Sequence, residues 1–189
     1  PHPAQRKYNE AQKGFMDIHV EESIAAGTLE PAGSPPIAFG SSVFVPTKKL
    51  KVVNGEQVIT STLRHTTDQQ YMNSHTRDEY YNLESVNDLC RRVGVENPVP
   101  AGSELWSISA DALSGFNQVL LTDEAKPYFG LAHRQQILQY TVLPQGYKNS
   151  PVAFSQRLST VVQGLPGVYQ YVDDLLVVGT TPMMALERW

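Results

Sequence analysis

The sequence predicts an α+β fold: an antiparallel sheet backed by helices in the second half, preceded by a smaller mixed region. Three observations predict it. Trp106 to Asp111 alternates between apolar and polar residues, as a half-buried strand does. Val168–Val172 and Leu175–Val178 are apolar runs joined at Asp173-Asp174, the pattern of a tight hairpin. Between them, Phe154, Leu158, Val161 and Val162 fall on one face of a helix.

Tyr8 to Ala26 reads as a helix with Ala11, Phe15, Ile18 and Ala25 near one face, stopped at Gly27. Glu30 to Ser42, rich in Pro, Gly and Ser, is expected to be a loop. Ser42 to Val45 then reads as a short strand ended by Pro46. Asn54-Gly55, between Val52-Val53 and Val58-Ile59, is a hairpin turn signal. Residues 65–82 carry no readable period, and Leu83 to Val93 reads as a short helix. Within the strand ending at Asp111, Trp106, Ile108 and Ala110 should point inward and Ser107, Ser109 and Asp111 to an open face. Another strand is expected from about Ile137 to Val142. Ser150 before Pro151 marks a helix start, with Ser150 as capping hydroxyl; Gly164 and Pro166 end that helix. The chain divides on this basis into residues 1–104, an N-terminal helix and smaller mixed region, and 105–189, the carboxylate-bearing sheet.

At 189 residues and 41% hydrophobic content, the chain suits one large domain or two small subdomains sharing a core. The single cysteine, Cys90, excludes an internal disulfide and fits a reducing compartment. Five scattered histidines lack the ligand spacing of a zinc site. No apolar stretch is long enough for a membrane span and no signal peptide opens the chain, so an intracellular setting, cytoplasmic or virion-associated, is expected. The chain begins Pro1-His2-Pro3, without an initiator Met, as if excised from a longer product. A net charge of −4 does not by itself mark a nucleic-acid binder; Lys48, Lys49, Lys51 and Arg64 are the densest basic stretch.

Asp173-Asp174 is the most informative feature. Aspartates are common in turns, where they are solvated. Here the pair is flanked by core strands, where adjacent like charges repel unless a cation offsets them. Oxygen ligands without nearby His or Cys favour magnesium or manganese over zinc. Asp111, at the end of its own strand, is the natural third carboxylate; alone it also fits a strand-end or helix-capping role. Three such groups could hold two metals about 3.5–4 Å apart for phosphoryl transfer.

These residues resemble a known family, the reverse transcriptases of retroviruses and related long-terminal-repeat elements. Asp111-Ala112-Leu113-Ser114-Gly115-Phe116 resembles its first catalytic motif. Leu143-Pro144-Gln145-Gly146-Tyr147-Lys148-Asn149-Ser150-Pro151 resembles the second, and Tyr171-Val172-Asp173-Asp174-Leu175-Leu176 the third. Asp111 and Asp173 lie 173 − 111 = 62 residues apart, with the second motif between them. The likeness is strong from about Leu105 to Gly179 and weaker before it, where Glu21 to Val45 resembles the approach to the fingers.

The resemblance implies a right-hand polymerase with the thumb absent: a palm over 105–189 and fingers within 1–104. It implies Asp111, Asp173 and Asp174 as catalytic carboxylates holding two Mg2+ ions, or Mn2+ in their place. The backbone of Ala112 and Leu113 would lie near the triphosphate, and Phe116 would crowd a 2′-hydroxyl. Gln145 and Gly146 would contact the nucleotide and template base, Lys148 a phosphate, and Lys48 or Lys49 would supply the fingers lysine. Implied partners are an RNA or DNA template with primer, and deoxynucleotides. The family's fingers arginine is expected just after the hairpin turn, where this chain has Glu56-Gln57-Val58-Ile59; Arg64 lies further on. The family's Asp-Tyr-Arg or Asp-Phe-Arg stretch is absent.

Two other functions compete with polymerisation. A decayed fragment serving as scaffold or RNA-binding module would explain the acidic charge and altered fingers. A metal-dependent nuclease would use clustered carboxylates but leaves Leu143–Gly146 and Phe116 unexplained.

Overall fold

A computed structural model describes residues 7–53, 56–80 and 84–189, with backbone alone over 49–53 and 56–61. The chain forms two compact units. One comprises Pro1–Arg77 and Phe116–Ser150, the other Asp78–Gly115 and Pro151–Trp189. The mixed α+β class expected from the sequence is the class observed.

The first unit opens with α1 (Glu10–Ala25), started by a reciprocal cap between Asn9 and Gln12 and left through Gly27 at φ +71°. Met16, Val20 and Ser23 are its buried residues, whereas Ile18 is exposed, so the buried face is not the expected one. Apolar and polar residues are too evenly mixed along α1 for periodicity to settle its face. A sheet in the order β1-β6-β5-β2-β3 covers that face; its strands are β1 (Leu29–Pro31), β2 (Phe39–Val53), β3 (Glu56–Asp68), β5 (Gly130–His133) and β6 (Gln136–Tyr140). Leu29, Phe129, Leu131, Leu138 and Tyr140 join Met16 and Val20 in one core. Burial of such side chains contributes roughly 1.5–3 kcal/mol each.

β2 runs far beyond the strand expected at Ser42–Val45, straight through Pro46. Its pairing with β5 is confined to Phe39 and Gly40. Beyond them the edge away from β3 has no strand neighbour among the described residues, and at such an edge a residue without an N–H is tolerated. The antiparallel ladder with β3 runs from Ser41↔Asp68 to Val53↔Glu56. The Asn54-Gly55 turn itself lies outside the described residues. A short helix, α2 (Gln70–His75), follows β3 in the stretch that had no readable period.

In the second unit, α3 (Val86–Glu96) begins at Ser85, whose side chain accepts from the Asp88 N–H. An antiparallel sheet follows in the order β4-β8-β7, built from β4 (Trp106–Asp111), β7 (Val168–Tyr171) and β8 (Asp174–Gly179). Central β8 buries Val177, Val178 and Gly179, so its apolar run is continuous rather than alternating. Tyr169 and Val178 pack with Leu89 of α3. α5 (Pro182–Arg188) buries Ala185, and a Cβ on Gly179 would come within 2.4 Å of the Ala185 nitrogen. On β4, Ile108 and Ala110 are half-buried and Ser109 and Asp111 exposed, as alternation demands; Trp106, at 46% exposure, departs from its expected inward place. α4 (Ser150–Val162) buries Phe154, while Val161 at its far end is exposed. Ser150 does not act simply as a cap: its hydroxyl donates to the Pro144 carbonyl at 2.9 Å.

Candidate active site

In the second unit the register of β4 against β8 sets Asp111 directly opposite Asp174. Asp173 precedes Asp174 in the turn joining β7 to β8. All three carboxylates are exposed. Residues directly opposite on antiparallel strands have Cβ atoms about 4.5–5.5 Å apart, and like charges there are destabilising. No ion pair neutralises them among the described residues. Nor do three or more His, Cys, Asp or Glu side chains close on one point suited to a metal there. The aspartates thus share one end of a sheet as separate, solvent-exposed oxygen donors. Such a donor set suits a hard divalent cation that keeps some of its own water.

The hairpin that carries them differs from expectation by one residue. Tyr171 pairs with Asp174, so the turn is Val172-Asp173 and Asp174 begins β8. Val172 sits at φ +58°. A β-branched residue is an outlier there and stores of order 1–3 kcal/mol of strain. The Val172 carbonyl accepts from Gln170 Nε2 at 2.8 Å and from Ser155 Oγ at 3.2 Å. Past Asp111, a Cβ on Gly115 would meet the Phe154 ring at 2.6 Å, so a larger residue there would force that ring to shift. Ala112 is half-buried and Leu113 is 86% exposed.

In the first unit, Gln145 and Gly146 are bound tightly to β3. The Gln145 carbonyl accepts from the Thr67 N–H at 2.9 Å and from the hydroxyls of Thr67 at 2.7 Å and Thr66 at 3.1 Å. Its side-chain oxygen accepts from Arg64 Nε at 3.2 Å. Gly146 lies at φ +108°, and a Cβ there would fall 1.7 Å from the Thr67 carbonyl oxygen. Asn73 of α2 closes the loop, donating to the Gly146 carbonyl at 2.9 Å and accepting from the Lys148 N–H at 2.9 Å. The Lys148 ammonium donates to the Thr76 carbonyl at 2.6 Å.

Arg64 therefore stands beside Gln145 although it lies well past the hairpin turn in sequence. The length of the β2–β3 ladder explains this, since Arg64 pairs with Val45, far from the turn. The same ladder places exposed Lys48 opposite Ser61, on the other face from Arg64; the Lys49 backbone pairs with Thr60, and its side chain is outside the described residues. Phe116 is half-buried in a short 3-10 turn, Gly115–Gln118. Sequence reasoning missed Thr66, Thr67 and Asn73 as supports of Gln145. Their sequence signal is local, a polar run in an unassigned segment.

Residues 44–188 match the family described as "Reverse transcriptase (RNA-dependent DNA polymerase)". The chain is 29% identical over 111 residues to Polyprotein P3 of Commelina yellow mottle virus, covering 58% of this chain and 6% of that protein. To the enzymatic polyprotein of cauliflower mosaic virus it is 26% identical over 176 residues, 90% of this chain and 23% of the other. It thus spans less than a quarter of the length of these relatives. Its fold is that of the foamy viral protease-reverse transcriptase solved with ds DNA, with TM-score 0.73 and 20% identity over 99% of this chain and 30% of that one. Among the described residues no helix is long and apolar enough to cross a membrane. With most of its length inside the family match, the chain belongs to the retroviral-type reverse transcriptases, a family of RNA-directed DNA polymerases.

Proposed function

We propose that this chain performs RNA-directed DNA polymerisation at the Asp111, Asp173 and Asp174 end of its β4-β8-β7 sheet: a primer 3′-hydroxyl loses its proton and bonds to the α-phosphate of a deoxynucleoside triphosphate, the α–β phosphoanhydride bond breaks, and pyrophosphate leaves. The observation that carries this reading is the Asp111–Asp174 cross-strand pair, two like charges with no ion-pair partner among the described residues. Asp111 and Asp173 would be the principal ligands of two Mg2+ ions, or Mn2+ in their place, with Asp174 the third carboxylate. When bound, such ions supply the positive charge that activates an attacking oxygen and steadies a leaving one. The protein's own part is to hold the carboxylates in register. The palm role belongs to this sheet, within 105–189, and the fingers role to the β2–β3 hairpin, within 1–104.

The other residues follow their motifs. The backbone of Ala112 and Leu113 meets the triphosphate, and Phe116 excludes a 2′-hydroxyl. Gln145, fixed at its carbonyl by three donors, presents its side chain to the nucleotide. Gly146 lets backbone approach closely. Arg64 takes the place of the fingers arginine; of the two candidate lysines, Lys48 is set on the other face of the ladder, which leaves Lys49 as the companion. Lys148 would have to exchange its bond to the Thr76 carbonyl for a phosphate. The partner is primer-template nucleic acid, in keeping with the ds DNA held by the foamy viral relative.

A second reading, a scaffold or RNA-binding module, draws on the lack of a closed metal-ligating group among the described residues. Single-nucleotide incorporation on an RNA template with a DNA primer separates the two, run beside Asp173→Asn. Extension by the parent and not by the variant supports the polymerase; extension by neither supports the scaffold.

A further inference from the structure

We infer that Gln170 and Ser155 are positioning residues that clamp the Val172 carbonyl and thereby aim Asp173 at its metal; this rests on the polymerase reading above. The Val172 carbonyl carbon is bonded to the Asp173 nitrogen, so fixing that C=O fixes the peptide plane from which Asp173 projects. Three bonds do the fixing. Gln170 Nε2 donates to the Val172 oxygen at 2.8 Å and to the Ser155 carbonyl at 3.1 Å. Ser155 Oγ donates to the same Val172 oxygen at 3.2 Å. Both amide protons of Gln170 are thus engaged, one on the turn and one on α4. Ser155 is almost wholly buried, which makes its hydroxyl a fixed rather than a mobile donor.

The clamp is needed because of what it holds. Val172 occupies φ +58°, a conformation a β-branched residue leaves unless its surroundings over-determine it. Without the clamp, relaxation at Val172 would rotate the following peptide and swing Asp173 away from Asp111 and Asp174. An ordinary hairpin bond would stabilise the strands without this consequence. The two roles are separable by experiment.

Mn2+ affinity is measured on the full chain from the electron paramagnetic resonance signal of free Mn2+, alongside thermal unfolding. Asp173→Asn should abolish the binding seen in the parent. Gln170→Met, which keeps the length and removes both donors, should weaken Mn2+ binding about tenfold, the scale for lost support of a metal ligand. Ser155→Ala should give a smaller loss in the same direction. Val172→Asn introduced into Gln170→Met should recover most of the affinity, since asparagine tolerates positive φ unaided.

Parental affinity in Gln170→Met, with binding still lost in Asp173→Asn, would overturn the clamp and leave the carboxylate reading intact. Absence of binding in the parent, or full binding in Asp173→Asn, would overturn that reading and the clamp with it. Should Gln170→Met fail to fold, the Val172→Asn double variant is expected to fold and bind. Failure of that double variant would reduce the pair to hairpin scaffolding and contradict the inference.

Discussion

Asp111 on β4 and Asp174 on β8 stand directly opposite each other at the end of an antiparallel ladder, and neither forms an ion pair among the described residues. The fold therefore holds two like charges together at a place where such a pair is destabilising.

Arg64 is exposed and donates to the Gln145 side chain, while the Gln145 carbonyl has its own donors in Thr66 and Thr67. Arg64→Ala should leave folding stability within about 0.5 kcal/mol, as for most surface substitutions. It should raise the KM for deoxynucleotide roughly tenfold through loss of a charge-assisted contact. Steady-state incorporation and urea unfolding of the same variant check both halves.

Gly146→Ala should behave in the opposite way. A Cβ placed 1.7 Å from the Thr67 oxygen at φ +108° cannot be accommodated without moving β3 or the Gln145 loop. Strain and overpacking together should cost roughly 3 kcal/mol, read as a lowered urea midpoint.

Phe116→Val should admit ribonucleotides if the ring excludes the 2′-hydroxyl. The ratio of ribonucleotide to deoxynucleotide incorporation should rise roughly tenfold or more, the scale on which a pocket discriminates one small group. An unchanged ratio would return Phe116 to a packing role.

His65 gives the protein an acid limb. Its ring lies 4.2 Å from that of His19 and its Nε2 is 3.0 Å from Ser42 Oγ. Burial, reinforced by His19, lowers its pKa from 6.5 to about 3. Burial lowers His19 as well, opposed by Glu22. Below about pH 6.5 the unfolded chain takes up protons that the folded chain refuses, so stability is present above that pH and falls as pH drops toward 3. One such group gives a slope of up to about 1.4 kcal/mol per pH unit. Urea midpoints across this range should show it, and His65→Leu should flatten it.

Much of the site was legible because it is local. Strict alternation ending at Asp111 and two apolar runs around Asp173-Asp174 specify a sheet and its turn with little help from the rest of the chain. The turn was off by one residue because Val172 adopts a conformation that its side chain disfavours, which propensity cannot foresee. Pro46 hid the true length of β2, since its tolerance depends on an edge that has no strand neighbour among the described residues, a tertiary fact. With β2 cut short, Arg64 had no visible route to Gln145, and the support from Thr66, Thr67 and Asn73 stayed invisible too. The buried face of α1 was missed for want of amphipathic contrast.

The most direct test of the carboxylate pair is thermal unfolding of the parent and Asp111→Asn, each with chelator and with Mn2+. In chelator, Asp111→Asn should be the more stable by roughly 0.5 kcal/mol, because the cross-strand repulsion is gone. Mn2+ should raise the midpoint of the parent and leave that of the variant unmoved. A parent indifferent to Mn2+, or a variant that responds equally, would mean that Asp111 and Asp174 do not share a cation.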